Sequence, residues 1–210
     1  MSDVRENLTN HIAELAQLQG IESVVGGYKK VRFPQQDSKS VAWADESLRL
    51  IHAPDAAPTT LLMARQFEKI EIDSGPIGFS DGVAVGGYSH LSLFPNGAFS
   101  FTGHYHVSGA ISYDTLFTLA IKSQSSNPTV LTFTHKGRCH GTFESGSRDD
   151  DWGDSGTNQA VAAVWNEFSQ FGYTWQWNAA VNADIGQLLR TTVEALGAAN
   201  TVISVVGAIL

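Results

Sequence analysis

The sequence predicts a mainly β protein of the α+β class, in which an antiparallel β-meander forms a sandwich or a barrel and amphipathic helices lie near both ends. Segments of alternating apolar and polar residues recur along the chain, as in half-buried strands. The 20 glycines provide many turns, and the charged fraction of 16% is too low for much solvated helix surface. A chain of 210 residues fits one domain, so we expect residues 1–210 to fold together.

The first predicted element is a helix over residues 3–19. Its apolar residues recur at helical spacing, at Val4, Leu8, Ile12, Leu15 and Leu18. Asp3 and Glu6 fit a capping box, and Gly20 would end the helix. Short β-like segments follow, interrupted by prolines so that their pairing stays open: 30–33, 40–44, 48–52 and 59–72.

The clearest pattern is a hairpin over residues 86–107. Pro95 presets the φ angle of a type I turn, and Gly97 suits the left-handed position after it. We therefore predict a three-residue loop with a bulge, rather than a two-residue turn. This register pairs two leucines with two phenylalanines on one apolar face, Leu91 opposite Phe101 and Leu93 opposite Phe99.

More elements are predicted between the hairpin and the C-terminus. Strands over 115–122, 129–135 and 138–144 extend the meander to about residues 28–145. A polar loop over 146–156 separates it from the C-terminal part, residues 157–210. That part contains a helix over 158–171 capped by Thr157 and ended by Gly172, an aromatic strand from Tyr173, and a helix over 184–197.

Histidines on the polar face of the hairpin are candidate metal ligands. In the predicted register His90, His104 and His106 project from the same side, as imidazoles do in several β-barrel metal sites. His140 and Glu144 would join them if their strand lies nearby. Such a set suits zinc, manganese or iron and an activated water. The alternative is the polar outer face of a half-buried sheet.

The acidic loop is a candidate calcium site. Its carboxylates are Asp149, Asp150, Asp151 and Asp154, and the neighbouring glycines allow the tight turn that a hard cation needs. Their spacing differs from that of an EF-hand. The alternative is that an acidic loop before a helix complements the positive end of the helix dipole. No cofactor is certain from the sequence, and a divalent metal remains a hypothesis.

Aromatic residues mark a third candidate site. Tyr173, Trp175 and Trp177 alternate along one strand and would form a ligand platform for a sugar ring or another apolar ligand. The alternative is that they belong to the core, because a continuous exposed aromatic patch is costly.

The segment 195–210 carries no charged residue. It is short for a membrane span and lacks basic or aromatic anchors. Its β-branched stretch would form a last strand, a buried helix or a surface for another copy of the protein. We expect it to dock on its own domain or on a partner, which makes a homo-oligomer or a protein complex the preferred assembly over membrane insertion.

The overall composition excludes some classes of function. A formal net charge of −8 argues against nucleic acid, because phosphate binding needs a basic patch. Cys139 is the single cysteine, which rules out an internal disulfide and fits a reducing compartment. The N-terminal residues lack the apolar stretch of a signal peptide. We therefore expect a cytoplasmic protein as synthesised, and leaderless secretion stays open.

Three functional hypotheses follow from these features. The first is a non-enzymatic β-rich protein that binds a ligand or assembles with itself, through its aromatic surface and its apolar C-terminal segment. The second is a membrane-active or secreted effector that inserts this segment. The third is a metal-dependent enzyme centred on the histidine-rich face of the sheet.

Overall fold

The computed structural model describes the backbone of residues 24–31 and the whole of residues 68–79 and 82–207. The predicted helix over 3–19 lies outside these residues, as do the β-like segments 40–44 and 48–52 and most of 59–72. Of the segment 30–33, residues 30 and 31 lie within a strand.

Strands dominate the described part of the chain. In order they are β1 (Val24–Val31), β2 (Ile70–Asp73), β3 (Ile77–Gly78), β4 (Val85–Leu93), β5 (Ala98–Val107), β6 (Tyr113–Ser123), β7 (Thr129–Cys139), β8 (Asp149–Thr157), β9 (Tyr173–Val181) and β10 (Thr201–Val206). Two helices join them, α1 (Gln159–Phe171) between β8 and β9, and α2 (Ile185–Ala195) between β9 and β10.

The strands form two sheets in a sandwich-like arrangement. Sheet A has the order β1-β9-β6-β7-β10, and sheet B has the order β2-β4-β5-β8 with β3 beside β4. All neighbours are antiparallel except β10, which runs parallel to β7. Neither sheet closes on itself, so the barrel alternative is wrong for the described residues. The single meander is also too simple, since the hairpins β4–β5 and β6–β7 belong to different sheets.

An aromatic core fills the space between the sheets. Sheet B contributes Phe101 and Tyr105, and sheet A contributes Phe117 and Phe133, all fully buried. Helix α1 adds an apolar stripe to the same core: Val161, Val164, Trp165 and Phe168. Helix α2 packs on the opposite face of sheet A, where its Leu188 forms a small second cluster with strand residues.

The hairpin register is as predicted. Leu91 pairs with Phe101 and Leu93 with Phe99. The amide of Phe94 donates to the Ala98 carbonyl at 2.9 Å, which leaves three residues in the loop. Gly97 has a φ of 85°, as the bulge requires.

Two element predictions are wrong. The strand over 138–144 does not form, because β7 continues from Thr129 only as far as Cys139 and a turn follows. The polar loop over 146–156 is largely β8, which pairs with β5 along its whole length. Its aspartates and glycines have low strand propensity, and tertiary pairing overrides this preference.

The two C-terminal helices lie close to their predicted positions. Asn158, rather than Thr157, caps α1 by accepting the amide of Ala160, and Gly172 ends the helix. Asp184 caps α2 by accepting the amide of Gln187. Among the described residues, no helix has the length and apolarity needed to cross a bilayer.

Candidate functional site

Strand β8 carries three consecutive aspartates, and the alternation of a strand sends them to opposite faces. Asp149 and Asp151 lie on the outer face of sheet B, where their side chains are exposed. Asp150 points between the sheets, and its side chain is only 10% exposed. The same acidic run therefore forms two different environments.

The outer environment joins two histidines to two carboxylates. Nδ1 of His104 lies 2.8 Å from a carboxylate oxygen of Asp151, and Nδ1 of His106 lies 2.7 Å from Asp149. Since an ionised carboxylate only accepts hydrogen bonds, each imidazole donates from Nδ1. The predicted metal ligands of β5 and the predicted calcium loop thus meet across the β5–β8 ladder and pair with each other.

The inner environment is a hydrogen-bonded dyad. Nε2 of His135, on β7, lies 2.9 Å from Oδ2 of Asp150. Thr115, on β6, donates its hydroxyl to the same oxygen at 2.5 Å. The His135 side chain is 13% exposed, so the dyad sits at the margin of the core. It links edge strand β8 of sheet B to the neighbouring strands β6 and β7 of sheet A.

Two glycines make room for this arrangement. The indole of Trp152 stacks on the His135 ring, with ring centroids 4.1 Å apart and planes 9° apart. A methyl group on Gly103 would lie 1.9 Å from that indole, and one on Gly137 would lie 2.0 Å from the Asp150 carboxylate. Larger residues at either position would therefore expel Trp152 or Asp150.

The electrostatics of the dyad follow from its partners. Burial raises the pKa of Asp150, but the hydrogen bonds from His135 and Thr115 outweigh it and keep that pKa below its usual value. Burial, with the nearby charge of Asp150, raises the pKa of Cys139 to about 11. Cys139 is therefore a protonated thiol at neutral pH and not a nucleophile. The Thr115 hydroxyl donates to Asp150 and so is not activated by His135.

The histidine face has the predicted orientation. His90 pairs with Thr102, and Tyr88 pairs with His104, so these side chains share the outer face of sheet B. His90 contacts Ser92 at 3.0 Å and Asp73 of β2 at 3.6 Å. The Tyr88 ring is 5.7 Å from the His104 ring and is 55% exposed.

His140 and Glu144 lie away from this face, in the turn after β7. They approach each other to 3.4 Å, and Arg138 binds the Glu144 carboxylate at 3.2 Å. A hydrogen bond from Ser112 and the Arg138 charge lower the pKa of Glu144. Across residues 68–79 and 82–207, no three His, Cys, Asp or Glu side chains are grouped as a metal site would need. His140 and Glu144 therefore pair with each other in this turn, and His90, His104 and His106 share the outer face of sheet B.

The remaining candidate residues lie on β8, β9 and β10. Asp154 is exposed on β8, beyond the dyad. Trp177 is buried in the core, and Tyr173 and Trp175 pack against it, so the three aromatic residues line the interior face of β9 and do not form an open platform. The apolar C-terminal segment forms β10, and its Ile203, Val205 and Val206 pack against the core.

No protein-family model matches the chain. A comparison with curated proteins likewise finds no significant match.

Sequence reasoning missed His135, Thr115 and Trp152. The first two were within reach, because Leu131 and Phe133 define the inner face of β7, and continuing their alternation places His135 there. Thr115 shares its face with Phe117 by the same rule. Asp150 and Trp152 could not be placed, because nothing local indicates that this acidic segment is a strand.

Proposed function

We propose that the protein is a non-enzymatic, β-rich protein that assembles with a second copy of itself through β10. The observation that carries this proposal is an uncharged strand at the edge of sheet A. Strand β10 pairs with β7 on one side, and no described strand lies on its other side. An uncharged strand at the edge of a sheet is a template for another strand.

The other sheet edges contrast with β10. The edge strands β1, β2 and β8 contain Lys29 and Lys30, Glu71 and Asp73, and the aspartates of β8, respectively. Charged side chains on edge strands discourage pairing with another chain. Strand β10, with the sequence Thr-Val-Ile-Ser-Val-Val, has no charge and no proline. The only other uncharged edge strand among the described residues is β3, which has two residues, so β10 is the longest described edge without this protection.

A second copy is the occupant that fits β10 best. A two-fold axis would place the strand antiparallel to itself, and no charge in either copy would oppose that pairing. The register shift between Ser204 and Val206 limits the regular part to Thr201–Ser204. A short ladder of this kind predicts a weak, concentration-dependent dimer.

The dyad supports a binding or structural role over catalysis. His135 is oriented by Asp150, but neither Thr115 nor Cys139 is available to it as a nucleophile, for the reasons given above. In the described residues the carboxylates near the histidines are occupied by hydrogen bonds or ion pairs with them.

Val202→Lys tests the assembly. The Val202 side chain is 39% exposed, so lysine fits in the monomer. In an antiparallel pair it introduces two ammonium groups into the apolar contact and weakens the dimer by about tenfold or more. Size-exclusion chromatography with light scattering, over a range of concentrations, should show a dimer for the unchanged chain and a monomer for the variant.

The matched control is Ser155→Lys. Ser155 is exposed on β8, the edge strand of the other sheet, and its replacement should leave the dimer intact. An unchanged chain that is monomeric at every concentration, or a dimer that survives Val202→Lys, would refute assembly through β10.

A further inference from the structure

The loop of the β4–β5 hairpin contains the single Asn-Gly step of the chain, Asn96-Gly97. An asparagine loses its side-chain amide when the backbone nitrogen of the next residue attacks its Cγ, and this reaction makes asparagine thermolabile. Glycine favours the attack, because it has no side chain to restrict the backbone or to block the approach. Asn96 is exposed at the tip of the hairpin, so water can reach its side chain.

The native loop holds both reacting groups in other hydrogen bonds. The amide of Gly97, which contains the attacking nitrogen, donates to the Phe94 carbonyl at 3.0 Å. Oδ1 of Asn96 accepts the amide of Ala98 at 3.0 Å, which fixes the direction of the side chain. Gly97 is also buried, although Asn96 is exposed. The closed loop therefore keeps the nitrogen of Gly97 from losing its proton and from turning toward Cγ.

Two further hydrogen bonds keep the loop closed. The amide of Phe94 donates to the Ala98 carbonyl at 2.9 Å, and the amide of Asn158 donates to the Gly97 carbonyl at 2.9 Å. Because Asn158 is also the cap of α1, the loop is coupled to the start of this helix. Local openings of such loops cost less free energy than global unfolding, so they occur within the folded state.

We propose that Asn96 is a site of spontaneous deamidation and that opening of this loop sets its rate. In the open loop, the nitrogen of Gly97 gives its proton to water or hydroxide and bonds to Cγ of Asn96. The Cγ–Nδ2 bond breaks, and Nδ2 takes up a proton and leaves as ammonia. Water then opens the cyclic imide at either of its carbonyl carbons, which leaves aspartate or isoaspartate. No oxidant or reductant takes part, and the reaction is independent of the assembly through β10.

The isoaspartate product should change how the hairpin meets α1. Isoaspartate inserts its side-chain methylene into the backbone before Gly97, so the type I turn and the hydrogen bond from Asn158 no longer fit together. We therefore expect the amide of Asn158 to exchange with deuterium about tenfold faster or more in the converted chain. Deamidation at an exposed loop thus loosens the first turn of a buried helix.

Ageing of the full-length chain in mildly alkaline buffer, with and without urea, tests the site and its control by the fold. Peptide mass spectrometry should find conversion at Asn96, and an isoaspartate-specific carboxyl methyltransferase should label the product. Conversion should be about tenfold faster or more in urea, where the loop is open. The matched control is Asn127, which is exposed between β6 and β7 but precedes Pro128, whose nitrogen has no hydrogen to lose.

Pro95→Gly tests the role of opening in the folded chain. The substitution removes the fixed φ angle of the turn, so the open loop becomes more populated. Conversion at Asn96 should then be several-fold faster in buffer and unchanged in urea. Pro76→Gly, at an exposed position between β2 and β3, is the matched control and should leave the rate at Asn96 as it is.

Three results would overturn the proposal: conversion at Asn96 no greater than at Asn127, equal rates in buffer and in urea, or equal rates for Pro95→Gly and Pro76→Gly in buffer. The comparison of buffer with urea uses the unchanged chain, so it decides the question even where a variant fails to fold. An Asn158 amide that exchanges equally fast before and after conversion would overturn the effect on α1.

Discussion

At Asp150 the edge strand β8 turns a carboxylate toward the interior. Inward-pointing charges are one means by which edge strands avoid pairing with other chains. If another chain extended the sheet, the charge would be buried in its apolar face without a partner. Here the cost of burial is offset by His135 and Thr115, which both donate to Oδ2. The dyad therefore explains how an acidic edge strand is held in a sandwich.

Asp150→Asn should destabilise the fold by about 1–3 kcal/mol at pH 7, because His135 and Thr115 lose an ionised acceptor. The pKa of Asp150 is lower in the folded protein than its ordinary value of 3.8. Its contribution is therefore complete above pH 3.8 and is lost as the pH falls through the folded value. Urea unfolding should show the difference between the two chains narrowing below about pH 4.

The matched control is Asp154→Asn, an exposed position on the same strand, which should change the free energy of unfolding by less than about 0.5 kcal/mol. A difference between Asp150→Asn and the unchanged chain that stays constant from pH 7 to pH 3 would contradict the ionised role of Asp150.

At the scale of elements, the β4–β5 hairpin depends on its loop. Gly97 has a φ of 85°, and its carbonyl accepts the amide of Asn158 at 2.9 Å, which ties the loop to the start of α1. A methyl group at Gly97 would lie 2.7 Å from the Asn158 carbonyl oxygen. The glycine thus meets both a conformational and a steric requirement.

Gly97→Ala should therefore lower the free energy of unfolding by about 2 kcal/mol, from left-handed strain and the clash with Asn158. Gly153→Ala on β8 is the control, because its added methyl group finds its nearest atom at 4.0 Å and its backbone is extended. Thermal and urea unfolding of the two variants provide the measurement. Equal losses for both would argue against a special role for the loop.

The hairpin was predictable because proline and glycine have fixed conformational preferences, which determine the register without tertiary information. The helices α1 and α2 were predictable for a similar local reason, their apolar periodicity and stop signals. Strand β8 was not, since its aspartates and glycines resemble a loop until β5 is placed beside it. The dyad depends on β8 and on the packing of two sheets, so only the inward orientations of His135 and Thr115 were accessible from the sequence.

In the molecule as a whole, sheet A is the layer against which the other elements pack, on both of its faces. Its inner face joins the aromatic core, and its outer face is covered by α2 through both apolar and polar contacts. On the polar side, Thr192 of α2 lies 2.6 Å from the Thr118 hydroxyl and 3.0 Å from the Asn178 amide. Strand β10 then covers part of β7, from Thr129 to Phe133.

Removal of residues 201–210 should destabilise the protein by about 3 kcal/mol, because three partly buried side chains of β10 leave the core. It also uncovers the edge of β7, so the shortened chain should aggregate rather than become a clean monomer. A chain that ends at Gly207 retains β10 and is the control. Equal stability and solubility of both chains would show that β10 contributes little to the fold.

Cys139 is fully buried, and its thiol has a pKa of about 11. Maleimides and iodoacetamide react with accessible thiolates. We therefore expect Cys139 not to react with them while the fold is intact. An engineered surface cysteine can then carry a fluorophore or a spin label at one chosen position, with Cys139 left in place. Reaction at Cys139 in turn reports opening of the sandwich, which gives the protein a built-in probe of its own unfolding.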